Sequence, residues 1–227
     1  MTGCVIVAAG RGVRFKSNLP KILFPLDGIP VIEYSLRTFS MCSLIDEIVL
    51  VVNKQMMESD YVSKWNGEFS KIREIVAGGA CREESVFNGI SRCSKKCDII
   101  LIHDGARPFV TESLISSVIK GTKKYGACIP AYSVNGSVKL VKRKRLVSTI
   151  VEKGIEVAQT PQGFKREILE KIFLTCGNQL NKYPDESSMC EQSGISVYVV
   201  SGEITNIKIT TQDDVKIALS LLNTDSV

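Results

Sequence analysis

Short apolar, β-rich runs alternate with longer amphipathic segments along most of this 227-residue chain. That alternation predicts a mostly parallel, twisted sheet flanked by helices, because parallel neighbours need a crossover connection, usually a helix. The first run, residues 4–9, is apolar throughout and ends in Gly10, as a strand buried on both faces should. Further strands are expected at 47–52, 72–77, 98–103 and 127–131. Helices are expected at 30–41, 55–65 and 82–93, and from a Thr111 N-cap through Tyr125. In the first helix Val31, Tyr34, Leu36 and Phe39 form the buried face; in the third, Val86, Phe87, Ile90 and Ser91 face the sheet.

The pattern changes between Tyr132 and Gln159. Two short alternating runs, 138–141 and 146–151, flank Lys142-Arg143-Lys144-Arg145 and predict a β-hairpin. The hairpin interrupts an otherwise α/β chain, so it is expected to project as an arm at about residues 133–157 of one domain spanning 1–227. Beyond it come helices at 165–176 and 185–192, strands at 196–200 and 207–210, and a closing helix at 212–222. Thr211 caps that last helix, and Asp213 and Asp214 lie in its first turn, where the helix dipole favours them.

Composition excludes several classes. A net charge of +5 from 29 basic and 24 acidic residues is too mild for a dedicated nucleic-acid binder, and the basic run reads as a solvated turn. No window approaches a membrane span of about 20 apolar residues, and the N-terminus has no basic region ahead of an apolar one. Eight cysteines without a CxxC pair, beside the single His103, assemble no zinc spacing. They read as reduced thiols, which places the chain in the cytoplasm.

Two motifs carry chemistry. Ala8-Ala9-Gly10-Arg11-Gly12-Val13-Arg14-Phe15 follows the first strand, with Leu19-Pro20-Lys21 close behind. Gly10 and Gly12 let the backbone turn tightly and offer amides to a polyphosphate, while Arg14 and Lys21 add fixed positive charge. A dinucleotide fingerprint would need glycine at Phe15, and a Walker loop would need Gly-Lys-Ser/Thr. The second motif, His103-Asp104-Gly105-Ala106-Arg107-Pro108, also leaves a strand's carboxyl end. Asp104 is suited to hold Mg²⁺ against phosphate oxygens, and Arg107 is a further anion ligand. His103 is expected to be a packed residue rather than a general base.

These motifs occur in order with Gly78-Gly79, Arg82, Ser85, Gln159-Thr160-Pro161-Gln162-Gly163-Phe164, Asp185-Glu186-Ser187-Ser188 and Asn206-Ile207-Lys208-Ile209-Thr210-Thr211. Together they resemble the 2-C-methyl-D-erythritol 4-phosphate cytidylyltransferase family, with ribitol-5-phosphate cytidylyltransferases as close relatives. The resemblance covers nearly the whole chain. It implies a Rossmann-like nucleotidyltransferase that moves CMP from CTP to a polyol phosphate with Mg²⁺. Arg14 and Lys21 would stabilise the transition state. Ala8, Ala9, Gly10, Gly12, Gly79, Arg82, Ser85, Asp104 and Gly105 would hold the nucleotide. Arg107, Ser137 and Lys208 would bind the acceptor, and the arm would complete the site of a second subunit in a homodimer.

Two positions depart from the family pattern: Gly136 stands where an aspartate is usual, and Glu152 where an arginine for the acceptor phosphate is expected. The acceptor therefore stays open between methylerythritol phosphate and ribitol or another polyol phosphate. A nucleotide-binding relative without turnover is the reading from a different class.

Overall fold

The computed structural model describes residues 1–224 apart from Arg11, Asn18 and Glu152. Strand β1 is Thr2–Ala8. Two 3₁₀ turns, Val13–Phe15 and Lys21–Leu23, precede a small hairpin of β2 (Pro25–Leu26) and β3 (Ile29–Pro30), none of which the apolar pattern marks. Then follow α1 (Val31–Met41), β4 (Glu47–Val52), α2 (Asp60–Glu68), β5 (Ile72–Ala77), α3 (Arg82–Arg92), β6 (Ile99–Asp104) and α4 (Glu112–Tyr125). Next come β7 (Ala127–Ser133), the hairpin β8 (Lys139–Lys142) and β9 (Arg145–Thr149), then β10 (Glu156–Ala158) and β11 (Gln162–Lys165). The chain closes with α5 (Arg166–Cys176), α6 (Glu186–Gln192), β12 (Tyr198–Ser201) and α7 (Gln212–Thr224).

The main sheet runs β5-β4-β1-β6-β11-β7, with β10 and β12 also paired to β7. Pairs β1–β4, β1–β6, β4–β5 and β7–β12 are parallel, whereas β11 and β10 pair antiparallel. The pleat divides each central strand between two cores. Cys4, Ile6 and Ala8 of β1, with Ile99 and Leu101 of β6, meet Leu36, Phe39, Trp65 and Ile115 on one face. Val5, Ile100 and Ile102 meet Val86, Ile90, Leu169 and Phe173 on the other. Successive residues of a strand point to opposite faces, so all-apolar strands require helices on both sides, as expected.

The hairpin β8–β9 pairs only with itself among the described residues, and every residue of both strands is exposed. Its base is anchored by β7 and β10, which join the main sheet. Arg143 and Lys144 form its turn with φ of 50° and 62°, so the basic run is a solvated turn.

Three expectations need correction. The helix expected at 55–65 is a 3₁₀ turn, Lys54–Glu58, followed by α2. Asn53 accepts from the Met56 amide, and the extended Ser59 separates the two. On α3 the buried face is Val86, Gly89 and Ile90; Ser91 points outward, and Phe87 is 47% exposed against Phe173. The strand expected at 207–210 is not one: Ile209 donates one backbone bond to Ala106, and the Thr210 amide goes instead to the Asp214 carboxylate at the start of α7. The local alternation is real, but no neighbouring strand is there to ladder with it.

Candidate active site

The glycine turn leaves β1 as the sequence suggests. Gly12 has φ 61°, a left-handed conformation that glycine adopts without cost, and its carbonyl accepts from the Phe15 amide at 2.8 Å. Phe15 is buried against Phe24, and its carbonyl accepts from Gln212 Nε2 at 3.1 Å, which ties the turn to α7. Arg14 remains exposed. Lys21 opens the next 3₁₀ turn beside Gly12, and its Nζ donates to the Ile209 carbonyl at 3.2 Å. Burial lowers the pKa of Lys21, the Lys208 charge lowers it further, and Asp104 opposes both.

A cleft of about 920 Å³ opens between this turn and the exit of β5, lined by Ala9, Gly10, Gly12 and Lys21 on one side and Gly78 and Gly79 on the other. Gly78 has no room for a side chain, because a Cβ would overlap the Ala9 Cβ and lie 2.8 Å from Ser85 Oγ. Ser85 Oγ accepts from the Gly79 amide at 3.0 Å and donates to the Cys81 carbonyl at 2.8 Å, fixing the loop before α3. Asn53, Lys54 and Gln55 also line the cleft. The sequence reading missed them, because it placed this stretch on the way into a helix.

Beside the cleft lies a buried charge cluster centred on Asp104. Its Oδ2 is 2.7 Å from Lys208 Nζ and 3.8 Å from Arg107 Nε, and its Oδ1 is 3.5 Å from Arg82 Nε. Burial alone would raise this carboxyl's pKa, but Arg82, Lys208 and Arg107 overcome it and hold the group ionised well below the usual carboxylate range. Arg107 Nη1 donates to the Asn206 carbonyl at 2.7 Å, which fastens the loop carrying Lys208 to the end of β6. Gly105 packs within 3.2 Å of Ile32 and 3.3 Å of Ala8 at its notional Cβ, so the motif crosses tightly over the first strand.

His103 is fully buried, ring-to-ring with Phe39 at 4.9 Å. Its Nε2 faces the Arg107 carbonyl at 3.3 Å, which requires a donor, so Nδ1 is left to accept from Thr160 Oγ1 at 3.2 Å. Burial pulls its pKa down to about 3, although Asp104 pulls the other way. A neutral, fully engaged ring has no proton-transfer role here.

Among the described residues no group of three His, Cys, Asp or Glu side chains could hold a metal by itself. Asp104 is ionised but already 2.7 Å from Lys208 Nζ, so it would take Mg²⁺ in place of that contact; the ion is commonly held by one or two carboxylates with substrate phosphates completing its shell. The structure thus brings Lys21, Arg82, Asp104, Arg107 and Lys208 together beside the nucleotide-sized cleft. It does not bring Ser137 there: that residue sits exposed on the arm. Gly136 adopts φ 136°, a backbone that side-chain-bearing residues rarely take, so glycine suits the place where an aspartate is usual. Glu152 lies outside the described residues.

The family model for 2-C-methyl-D-erythritol 4-phosphate cytidylyltransferase matches residues 3–224. Relatives bearing that name include one from Syntrophus aciditrophicus, 40% identical over 96% of this chain and 94% of its own, and one from Clostridium botulinum, 37% identical over 96% of each. Among solved structures, a 4-diphosphocytidyl-2C-methyl-D-erythritol synthase from Anaerococcus prevotii superposes with a TM-score of 0.84 at 31% identity, covering 98% of this chain and 96% of that one. The cytidylyltransferase from Francisella tularensis gives 0.80 at 31% identity, covering 96% and 97%. With the glycine turn, the Asp104 cluster and the sheet order in place from end to end, the chain belongs to the 2-C-methyl-D-erythritol 4-phosphate cytidylyltransferase family of CTP-dependent nucleotidyltransferases.

Proposed function

We propose that this chain transfers CMP from CTP to 2-C-methyl-D-erythritol 4-phosphate and releases pyrophosphate. An oxygen of the acceptor phosphate attacks the α-phosphorus in line; the new P–O bond forms as the bond to the bridging oxygen of the β-phosphate breaks, and pyrophosphate leaves with that electron pair. An ionised phosphate is already a nucleophile, so no general base is required, in keeping with a neutral His103. The triphosphate lies in the glycine turn with Lys21 and Arg14 beside it, and Ala8, Ala9, Gly79 and Ser85 surround the nucleoside. Arg107 and Lys208 receive the acceptor phosphate. Asp104 would hold Mg²⁺, which would supply charge neutralisation at the phosphate oxygens. The observation that carries this reading is the convergence of Lys21 and Lys208 with Asp104 at the exits of β1 and β6.

Leu140, Val141, Leu146 and Val147 are each more than half exposed on the hairpin, which supports a homodimer in which a second subunit covers the arm and takes Ser137 into its acceptor site. No helix among the described residues is long and apolar enough to cross a membrane, and all eight cysteines are free thiols; both support a cytoplasmic enzyme. Pyrophosphate release is the test, measured with CTP, Mg²⁺ and separate acceptors. Turnover with methylerythritol 4-phosphate is expected. Gly136 and Glu152 motivate ribitol 5-phosphate as the alternative acceptor, and turnover with it alone would move the assignment there. CTP binding without turnover on any acceptor would identify an inactive relative.

A further inference from the structure

The Asp185-Glu186-Ser187-Ser188 motif has no role so far, yet its second residue is the most deeply buried carboxylate near the site. Glu186 is fully buried in the first turn of α6 and grips Arg82 fork to fork, with Nη1–Oε1 at 2.8 Å and Nη2–Oε2 at 3.2 Å. Of the three N–H groups left on that guanidinium, the one on Nε faces Asp104 Oδ1 at 3.5 Å. Arg82 is therefore shared between two carboxylates from different parts of the chain, one at the root of α6 and one at the end of β6.

The peg itself is firmly set. Asp185 accepts from the Ser188 amide at 2.9 Å in a capping box, and its other oxygen accepts from Gln162 Nε2 at 3.0 Å. Gln162 lies on β11, in register with Ile102 of β6, so the support of Glu186 is tied to the strand that carries Asp104. A bidentate pair fixes the guanidinium plane as well as its position.

We propose that Glu186 is a positioning residue for nucleotide binding: it holds Arg82 beside Asp104, three residues on from Gly79 of the cleft wall, and keeps both Nη groups off Asp104. This rests on the CMP-transfer reading. Without the Glu186 charge, the nearest anion for the whole fork is Asp104, where Lys208 Nζ already sits at 2.7 Å. Arg82 then turns onto Asp104, competes with Lys208, and leaves the edge of the nucleotide site.

The test compares Glu186→Gln, Arg82→Gln and the double variant with the unaltered enzyme. Each is measured by calorimetric titration with CTP, by KM for CTP and for the acceptor phosphate, and by thermal melting. Glu186→Gln is expected to remain folded and to weaken CTP binding by about tenfold or more, the scale of one charge-assisted contact, with the acceptor KM changing much less. Arg82→Gln gives a loss of similar size, and the double variant is no worse than Arg82→Gln alone. A folded Glu186→Gln protein with unaltered CTP affinity overturns the proposal, as do losses that multiply in the double variant. Should Glu186→Gln fail to fold, Glu186→Asp keeps the charge but shortens the reach, and the same weakening of CTP binding is required of it. Absence of turnover in the unaltered protein would count against CMP transfer, whereas the CTP titrations judge Glu186 separately.

Discussion

Replacing Lys21 with methionine separates the cost of a charge from its use. The methionine keeps the aliphatic stem that packs beside Gly12 and removes only the ammonium group and its 3.2 Å bond to the Ile209 carbonyl. About 4 Å from a phosphate oxygen, a unit charge contributes about 1 kcal/mol in bulk water and about 4 kcal/mol at an effective dielectric near 20. Lys21 is partly buried and Arg14 is exposed, so the two lie towards opposite ends of that range. Loss of a preorganised group of the Lys21 kind lowers turnover by about 10²–10³-fold. Arg14→Ala should cost less.

Stability should move differently. Burial, followed by Lys208, lowers the Lys21 pKa from its ordinary 10.5, so the folded state disfavours the charged form. That cost is present throughout neutral pH and is relieved only as pH rises through the lowered pKa towards 10.5. Removing the charge removes the cost and offsets the lost hydrogen bond of about 1 kcal/mol, so the melting temperature should stay within about 4 °C. The assay is kcat from pyrophosphate release, paired with a thermal melt at pH 7.5. A Lys21→Met enzyme with near-normal kcat would refute the placement of the reaction centre, and a large drop in melting temperature would refute the charge accounting.

Gly78→Ala should destabilise the fold by about 1–3 kcal/mol and raise KM for CTP, since its methyl group must displace Ala9 or Ser85; denaturant unfolding and initial rates measure the two effects. His103→Gln should retain kcat within about tenfold, because a general base would contribute about 10²–10⁴. In metal-free protein, His103 should also make the melting temperature fall as pH drops from 6.5 towards 3: burial depresses its folded pKa to about 3, so the unfolded chain takes up the proton first. A melting curve whose pH slope is unchanged in His103→Gln would contradict that assignment. On the arm, paired Leu140→Asp and Val147→Asp substitutions should convert a dimer into monomers by light scattering while leaving the melting temperature of the main body unaltered.

The sequence was most legible where local pattern and tertiary burial agree. Strands β4 and β5 fall at their expected bounds, because all-apolar or alternating runs between polar turns leave few other options. The glycine turn and Asp104 were legible for the same reason: both leave buried strands at the sheet's carboxyl edge, where ligands of open α/β sheets gather. Strand β11 was not, since Gln162-Gly163-Phe164-Lys165 carries no strand signature and is strand only because it slots between β6 and β7. Residues 207–210 failed in the opposite sense, with a convincing alternation but no partner strand. The cluster around Asp104 joins residues from four distant segments. Resemblance pointed Arg82 and Lys208 at the substrates, but only the fold shows that Glu186, 104 residues from Arg82, is what holds Arg82 in place.

The central claim is that the phosphate tail of a nucleotide lies between the glycine turn and the Asp104 cluster. A crystal structure with CTP and Mg²⁺ tests it most directly. The triphosphate is expected against the backbone of Gly10 and Gly12 with Lys21 Nζ on its oxygens, and the metal on Asp104. Density for the triphosphate elsewhere, or Lys21 and Asp104 turned away from it, would show that this is not the phosphate site.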